Sequence, residues 1–265
     1  MAEPVASPSL VRFERHGAVA VVTLDDPERR NALRPPLLDA LIETMTELAS
    51  DPGVRAVVLT GAGRVFAAGA DLREIQASTV EGNLSYNRHI IKAFDAVGTM
   101  PMPTIAALNG HALGGGLELA LACTLRVASS RATLGLPEVR LGLLPGAGGC
   151  QRLPRLIASG LAARMLLTGE AIGADRALEI GLVDEVAEGA EGALTAALKI
   201  ADQIAANAPL SVRSILRVVR SSADVPVAAG LEVSQRELAG LLASRDLAEG
   251  IGAFLDKRPA EFVGA

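Results

Sequence analysis

The fold is constrained most by the way apolar runs alternate along the chain. Val19–Leu24 (VAVVTL) is rich in β-branched residues and ends at Asp25, Asp26 and Pro27, the mark of a strand. Val54–Thr60 (VRAVVLT), Thr104–Leu108 (TIAAL) and Leu125–Ala128 repeat the pattern. Between them, Pro35–Ser50, Asn83–Val97 and Gly116–Cys123 carry apolar residues at helical spacing. Two prolines open the first of these, where a missing N–H does least harm. Leu161–Thr168 and Ala174–Ile180 read as short helices, and nearly everything beyond Glu188 has helical periodicity. Strands alternating with helices, then a helical tail, predict an α/β fold with a helical C-terminal region. The 265 residues suffice for one large core and a small lobe. The expected division is a disordered leader at 1–9, a core domain with the active site at 10–195, and a helical region at 196–265.

Composition excludes several functions. With five Phe, one Tyr and no Trp, the chain lacks the aromatics that stack single-stranded bases. Its 25 basic and 30 acidic residues leave a net charge of −5, the wrong sign to grip a polyphosphate backbone. No nucleic-acid partner is expected. No uncharged apolar run reaches the roughly 18 residues of a membrane span, so no membrane partner is expected either. The opening MAEPVASPSL has no basic region followed by an apolar stretch, unlike a secretory signal. Cys123 and Cys150 lie far apart in apolar or Gly-rich settings, which suggests free thiols in a reducing, cytoplasmic compartment. Three histidines without a His/Cys cluster give a metal little to bind.

Four segments could hold chemistry. Gly61–Asp71 (GAGRVFAAGAD) follows a strand and reads either as a loop presenting N–H groups to a ligand or as an ordinary glycine turn. A dinucleotide fingerprint fails because Phe66 stands where the third glycine is needed. Asn109–Ala120 (NGHALGGGLELA) runs from a strand through Gly114, Gly115 and Gly116 into a helix. The unpaired N–H groups at that helix start suit a carbonyl oxygen gaining negative charge. Glu118 is the lone charge on this apolar helix, and burial there would raise its pKa.

The third segment, Leu134–Gly149 (LGLPEVRLGLLPGAGG), places Glu138 after Pro137 in an apolar loop. Without a following Gly-Lys-Ser/Thr it is no P-loop. Glu138 is either a first-turn acid beside Arg140 or, folded back against Glu118, half of a general acid–base pair. The fourth, Gly250–Gly264, sets Phe254 near Lys257 and Arg258. It reads equally as a contact for a phosphate-bearing ligand and as a basic helix end. His111 is expected to be structural. Cys150 has no base nearby to make it a nucleophile.

FAAGADLREI (Phe66–Ile75), IAALNGHALGGGLELALAC (Ile105–Cys123), LGLPEVRLGLLPGAGGCQRLPR (Leu134–Arg155) and GIGAFLDKRPAEF (Gly250–Phe262) together resemble the enoyl-CoA hydratase/isomerase (crotonase) family. The likeness extends from about Leu10 onward. It implies a spiral of ββα turns with a helical C-terminal trimerisation region, as a homotrimer or a dimer of trimers. It implies an acyl-CoA thioester as substrate, with coenzyme A part of the substrate and no separate cofactor. By motif position the oxyanion hole falls on the N–H groups of Ala70 and Gly115, and the two glutamates of hydrating members on Glu118 and Glu138. Substrate and CoA contacts fall on Arg29, Arg30, Ala32, Ala68, Asp71, Leu72, Gly114, Pro137 and Gly146, and on Phe254 and Lys257 of a neighbour. Isomerising relatives usually keep only the glutamate at the Glu138 position, so Glu118 favours hydration. The alternatives are a double-bond isomerase or a lyase on a specialised acyl-CoA, and more remotely a non-catalytic acyl-CoA- or RNA-binding relative.

Overall fold

A computed structural model describes residues 9–265. Apart from Ser9, the leader expected at 1–9 lies outside the described residues. The chain opens with an antiparallel hairpin, β1 (Val11–His16) and β2 (Val19–Leu24). Next come α1 (Pro35–Ser50) and three successive turns of one plan. Each turn has a first strand, a shorter second strand and then helix. The first is β3 (Ala56–Gly61), β4 (Val65–Ala67), α2 (Leu72–Ala77) and α3 (Val80–Gly98). The second is β5 (Thr104–Leu108), β6 (His111–Leu113) and α4 (Gly115–Ala122). The third is β7 (Leu125–Ser129), β8 (Thr133–Gly135), a 3-10 turn at Pro137–Leu141 and α5 (Gly149–Leu156).

The first strands join a six-stranded sheet ordered β1-β2-β3-β5-β7-β10, and the second strands a four-stranded sheet ordered β4-β6-β8-β9. Pairing is parallel from β2 to β3, β5 and β7, and from β4 to β6 and β8. The remainder is α6 (Ser159–Thr168), β9 (Ile172–Gly173), α7 (Ala174–Glu179) and β10 (Glu185–Ala187), followed by α8 (Gly189–Ala205), α9 (Pro209–Ser222), α10 (Val227–Leu242) and α11 (Arg245–Asp256).

Both faces of the large sheet are covered, as parallel strands require. On one face Leu24, Leu59 and Leu108 pack with Leu37, Leu41 and Phe94 of α1 and α3. On the other, Val21, Val58, Ile105 and Val127 meet Ala193, Ala197, Ala201 and Ala205 of α8. Those alanines recur every four residues, so one small-residue stripe lets α8 lie close on the sheet. Residue 195 falls inside α8.

Four of the five longer strands, β2, β3, β5 and β7, match the sequence reading. The other six were not apparent in it, for two reasons. β4, β6, β8, β9 and β10 span two or three residues each, too few to display a period. β1 is an edge strand with three charged residues in six. α3 begins three residues earlier than predicted because Thr79 caps it, its Oγ1 accepting from the Gly82 N–H at 3.1 Å. Among the described residues no helix is long and apolar enough to cross a membrane.

Candidate active site

The parallel pairing of β4, β6 and β8 sets the segments leaving their carboxyl ends side by side, the usual ligand-binding place in α/β architecture. The first turn contributes Ala68, Gly69, Ala70 and Leu72. The second contributes Gly114, Gly115 and Glu118. The third contributes Pro137, Glu138 and Gly146. All line one cavity of about 610 Å³. Much of the remaining wall is aliphatic, with Ile75, Leu84, Ile90, Leu141 and Leu144 among it.

Two backbone N–H groups meet at this cavity. Gly69 has φ +92°, a conformation an L side chain resists, and Gly114 has φ +55° where β6 passes into α4. A Cβ on Gly69 would sit 2.8 Å from the Leu113 carbonyl oxygen and 3.1 Å from the Gly115 nitrogen. One on Gly115 would sit 3.6 Å from the Ala70 nitrogen. The two loops therefore touch backbone to backbone. Within the described residues, neither the Ala70 nor the Gly115 N–H has a hydrogen-bond acceptor. Gly115 also begins α4, at the positive end of its dipole. This arrangement can hold an oxygen that gains charge.

Two carboxyls face the same space. Glu118 is only 3% exposed. Its Oε1 accepts N–H bonds from Ala147 and Gly149, both at 2.8 Å. Burial raises its pKa, against the pull of those two bonds and of Arg152. Glu138 follows the chain turn at Pro137 and is half-buried. Its Oε2 is buried with no hydrogen-bond partner among the described residues, and Arg140 bonds the Thr168 carbonyl instead of pairing with it. Burial, reinforced by the negative charge of Glu118, pushes Glu138 up to about 7. Two carboxyls with elevated pKa values in an apolar cavity can pass a proton near neutral pH.

Other expected contacts lie elsewhere. Arg29 and Arg30 are exposed at the 3-10 turn Pro27–Arg29, and neither they nor Ala32 line the cavity. Arg30 reaches its rim through the backbone, its carbonyl accepting the Ala68 N–H at 3.1 Å. The Asp71 carboxylate is engaged in capping α2, accepting from the Arg73 N–H. Phe254 and Lys257 sit at the end of α11, away from this cavity within one chain. Arg258 is committed to Glu249 through two bonds of 2.7 and 2.9 Å.

The Gly61–Asp71 segment divides in two. Its Gly61–Gly63 half is a structural turn held by Asn31, whose Nδ2 donates to the Ala62, Val65 and Phe66 carbonyls. Only the half from Ala68 faces the cavity. His111 is exposed rather than packed, because strand alternation turns Ala112 inward in its place. Burial raises the Cys150 thiol pKa, and Glu118 and Glu138 add to it, so a thiolate is disfavoured there.

Tyr86 and Asn87 on α3 also line the cavity, and no motif in the sequence singles out either one. Asn87 Nδ2 donates to the Gly146 carbonyl at 3.1 Å. The one available signal was that Tyr86 is the chain's single tyrosine.

A family model described as enoyl-CoA hydratase/isomerase matches residues 14–265. The chain is 40% identical over 250 residues to 2,3-dehydroadipyl-CoA hydratase of Escherichia coli K12, spanning 94% of this chain and 97% of that protein. It is 39% identical over 253 residues to short-chain-enoyl-CoA hydratase of Clostridium acetobutylicum, spanning 95% and 96%. A crystal structure of enoyl-CoA hydratase from Bacillus anthracis superposes with a TM-score of 0.94 at 37% identity, over 97% of this chain and 100% of that one. The ββα spiral expected from the resemblance is the fold observed.

Proposed function

The chain belongs to the enoyl-CoA hydratase/isomerase family, and on that premise we propose that it reversibly hydrates a trans-2-enoyl-CoA to a 3-hydroxyacyl-CoA. The observation that supports this reading is the convergence of Glu118, Glu138 and the free N–H groups of Ala70 and Gly115 on one apolar cavity.

In this reading the thioester oxygen accepts from the Ala70 and Gly115 N–H groups. As water adds, negative charge moves from the double bond onto that oxygen, and the two dipoles stabilise it. Removing one such donor typically costs about 10²–10³ in rate. A water held by the carboxyl pair adds its oxygen to carbon 3. One carboxylate takes a proton from that water and the other carboxyl delivers one to carbon 2, so the pair as a whole keeps its proton count. The two titrate as a unit, and the roles belong to the pair. Glu118 anchors to the loop before α5 through a single oxygen, which leaves Oε2 for the water. Coenzyme A arrives with the substrate, so this chemistry needs no further cofactor. We include in the proposal that copies of the chain assemble as trimers and that Phe254 and Lys257 reach a neighbour's CoA.

Crotonyl-CoA tests the reading. Hydration removes the ultraviolet absorbance of its conjugated thioester. Absence of turnover across short, medium and long enoyl chains would contradict the proposal.

A further inference from the structure

Leu33, Gly69, Asp71 and Tyr86 close a hydrogen-bonded ring around Ala70. The Leu33 N–H donates to the Gly69 carbonyl at 2.9 Å. The Tyr86 hydroxyl donates to the Leu33 carbonyl at 2.5 Å. The Asp71 N–H donates to the same Tyr86 oxygen at 3.1 Å. Both backbone polar groups of Leu33 are thus engaged, and the residues on either side of Ala70 are tied to them. The Leu33 side chain also underlies the second loop, since a Cβ on Gly115 would come within 2.8 Å of its Cδ1. One phenol therefore braces both segments whose N–H groups meet at the cavity.

We propose that Tyr86 is a positioning residue that sets the Ala70 N–H against the Gly115 N–H through Leu33, an inference that rests on the oxyanion role given to those two groups above. Nothing else in the ring can replace it. The hydroxyl uses its only proton on Leu33 and accepts from Asp71, so a phenyl ring of the same shape loses both ties. Burial pushes the phenol up to about 12, which keeps the donor protonated across the working pH range. Positioning errors of about 1 Å can cost about 10²-fold in rate.

Tyr86→Phe is the direct test, read with a conjugated dienoyl-CoA whose absorption moves to longer wavelength when donors polarise its thioester carbonyl. The expected result is a diminished shift on binding, kcat for crotonyl-CoA lower by about 10–100-fold, and KM changed little. Because the chain has a single tyrosine, biosynthetic replacement with a fluorinated tyrosine of lower pKa alters this residue alone. It should make the spectral shift of the bound dienoyl-CoA fall off at lower pH than in the unsubstituted protein while circular dichroism stays constant. A spectral shift and kcat equal to wild type in Tyr86→Phe would overturn the inference, even with crotonyl-CoA hydrated normally. Loss of the spectral shift in Tyr86→Phe, with no hydration even by wild type, would uphold the brace and overturn the proposed reaction instead.

Discussion

Gly149 donates its N–H to Glu118 Oε1 over 2.8 Å, so the first residue of α5 is held by a carboxylate from α4. Ala147 does the same at 2.8 Å. Glu118 thus has a structural duty beside its proposed chemical one, and substitutions there separate the two. Glu118→Ala orphans two buried donors, at about 1–3 kcal/mol each, and should lower Tm as well as activity. Glu118→Gln retains a carbonyl acceptor and should fold nearly as well as wild type. Its hydration rate should still fall by about 10²–10⁴, the usual worth of a general acid or base. Thermal melts beside crotonyl-CoA kinetics check both parts.

Glu138 is expected to titrate near 7 rather than near 4.5. Carboxyl ¹³C shifts of labelled protein should reveal that midpoint, and Glu138→Gln should identify it by deleting it. The linkage sign follows from the raised value. Relative to the unfolded chain, this carboxyl favours folding most below pH 4.5 and loses that contribution as pH rises through about 7. Glu138→Gln should therefore gain stability over wild type between pH 7 and 9. In the proposed reaction the pair must hold one proton to deliver to carbon 2, so kcat/KM for hydration should decline above about pH 7 as that proton is lost.

Gly69→Ala should damage the site from a distance of one residue. The backbone there has φ +92°, and the new methyl would press on the Leu113 carbonyl and the Gly115 nitrogen. Strain of this kind costs about 1–3 kcal/mol. Separating the two N–H groups should reduce kcat by about 10²–10³, with KM less affected. Steady-state kinetics alongside chemical denaturation would resolve the two effects.

Much of this was legible in the sequence, and the reason differs by residue. Glu118 announced itself as one charge on an apolar helix. Gly114–Gly116 did so as a break between strand and helix. Both signals are local. Glu138 was ambiguous because its meaning depends on whether Arg140 pairs with it, and that is decided by the position of Thr168, a helix away. The ring through Leu33 and Tyr86 joins residues 53 positions apart, and no periodicity encodes such a contact. The second strand of each turn is only three residues long, yet β4, β6 and β8 are what bring Ala70, Gly115 and Glu138 together. The charged candidates Arg29 and Arg30 have motif position in their favour, but their side chains are exposed in the single chain.

Phe254 is 82% exposed at the end of α11, beside the exposed Leu255 and Ile251. An aromatic of that exposure in so aromatic-poor a chain is expected to be covered if the proposed trimer forms. Light scattering should give a mass that is a multiple of three protomers. Phe254→Ala should raise KM for crotonyl-CoA several-fold and leave kcat nearly unchanged. A monomer with wild-type KM would remove Phe254 and Lys257 from the substrate site.

If the Glu118–Glu138 pair adds water to carbon 3, the new oxygen comes from solvent, and isotopic water reports it. Purified protein would be incubated with crotonyl-CoA in H₂¹⁸O and the product analysed by mass spectrometry. The expected product is 3-hydroxybutyryl-CoA carrying one ¹⁸O at carbon 3, formed by wild type and suppressed in both Glu118→Gln and Glu138→Gln. Unlabelled substrate recovered with a migrated double bond, or labelled product formed at wild-type rate by either variant, would contradict it.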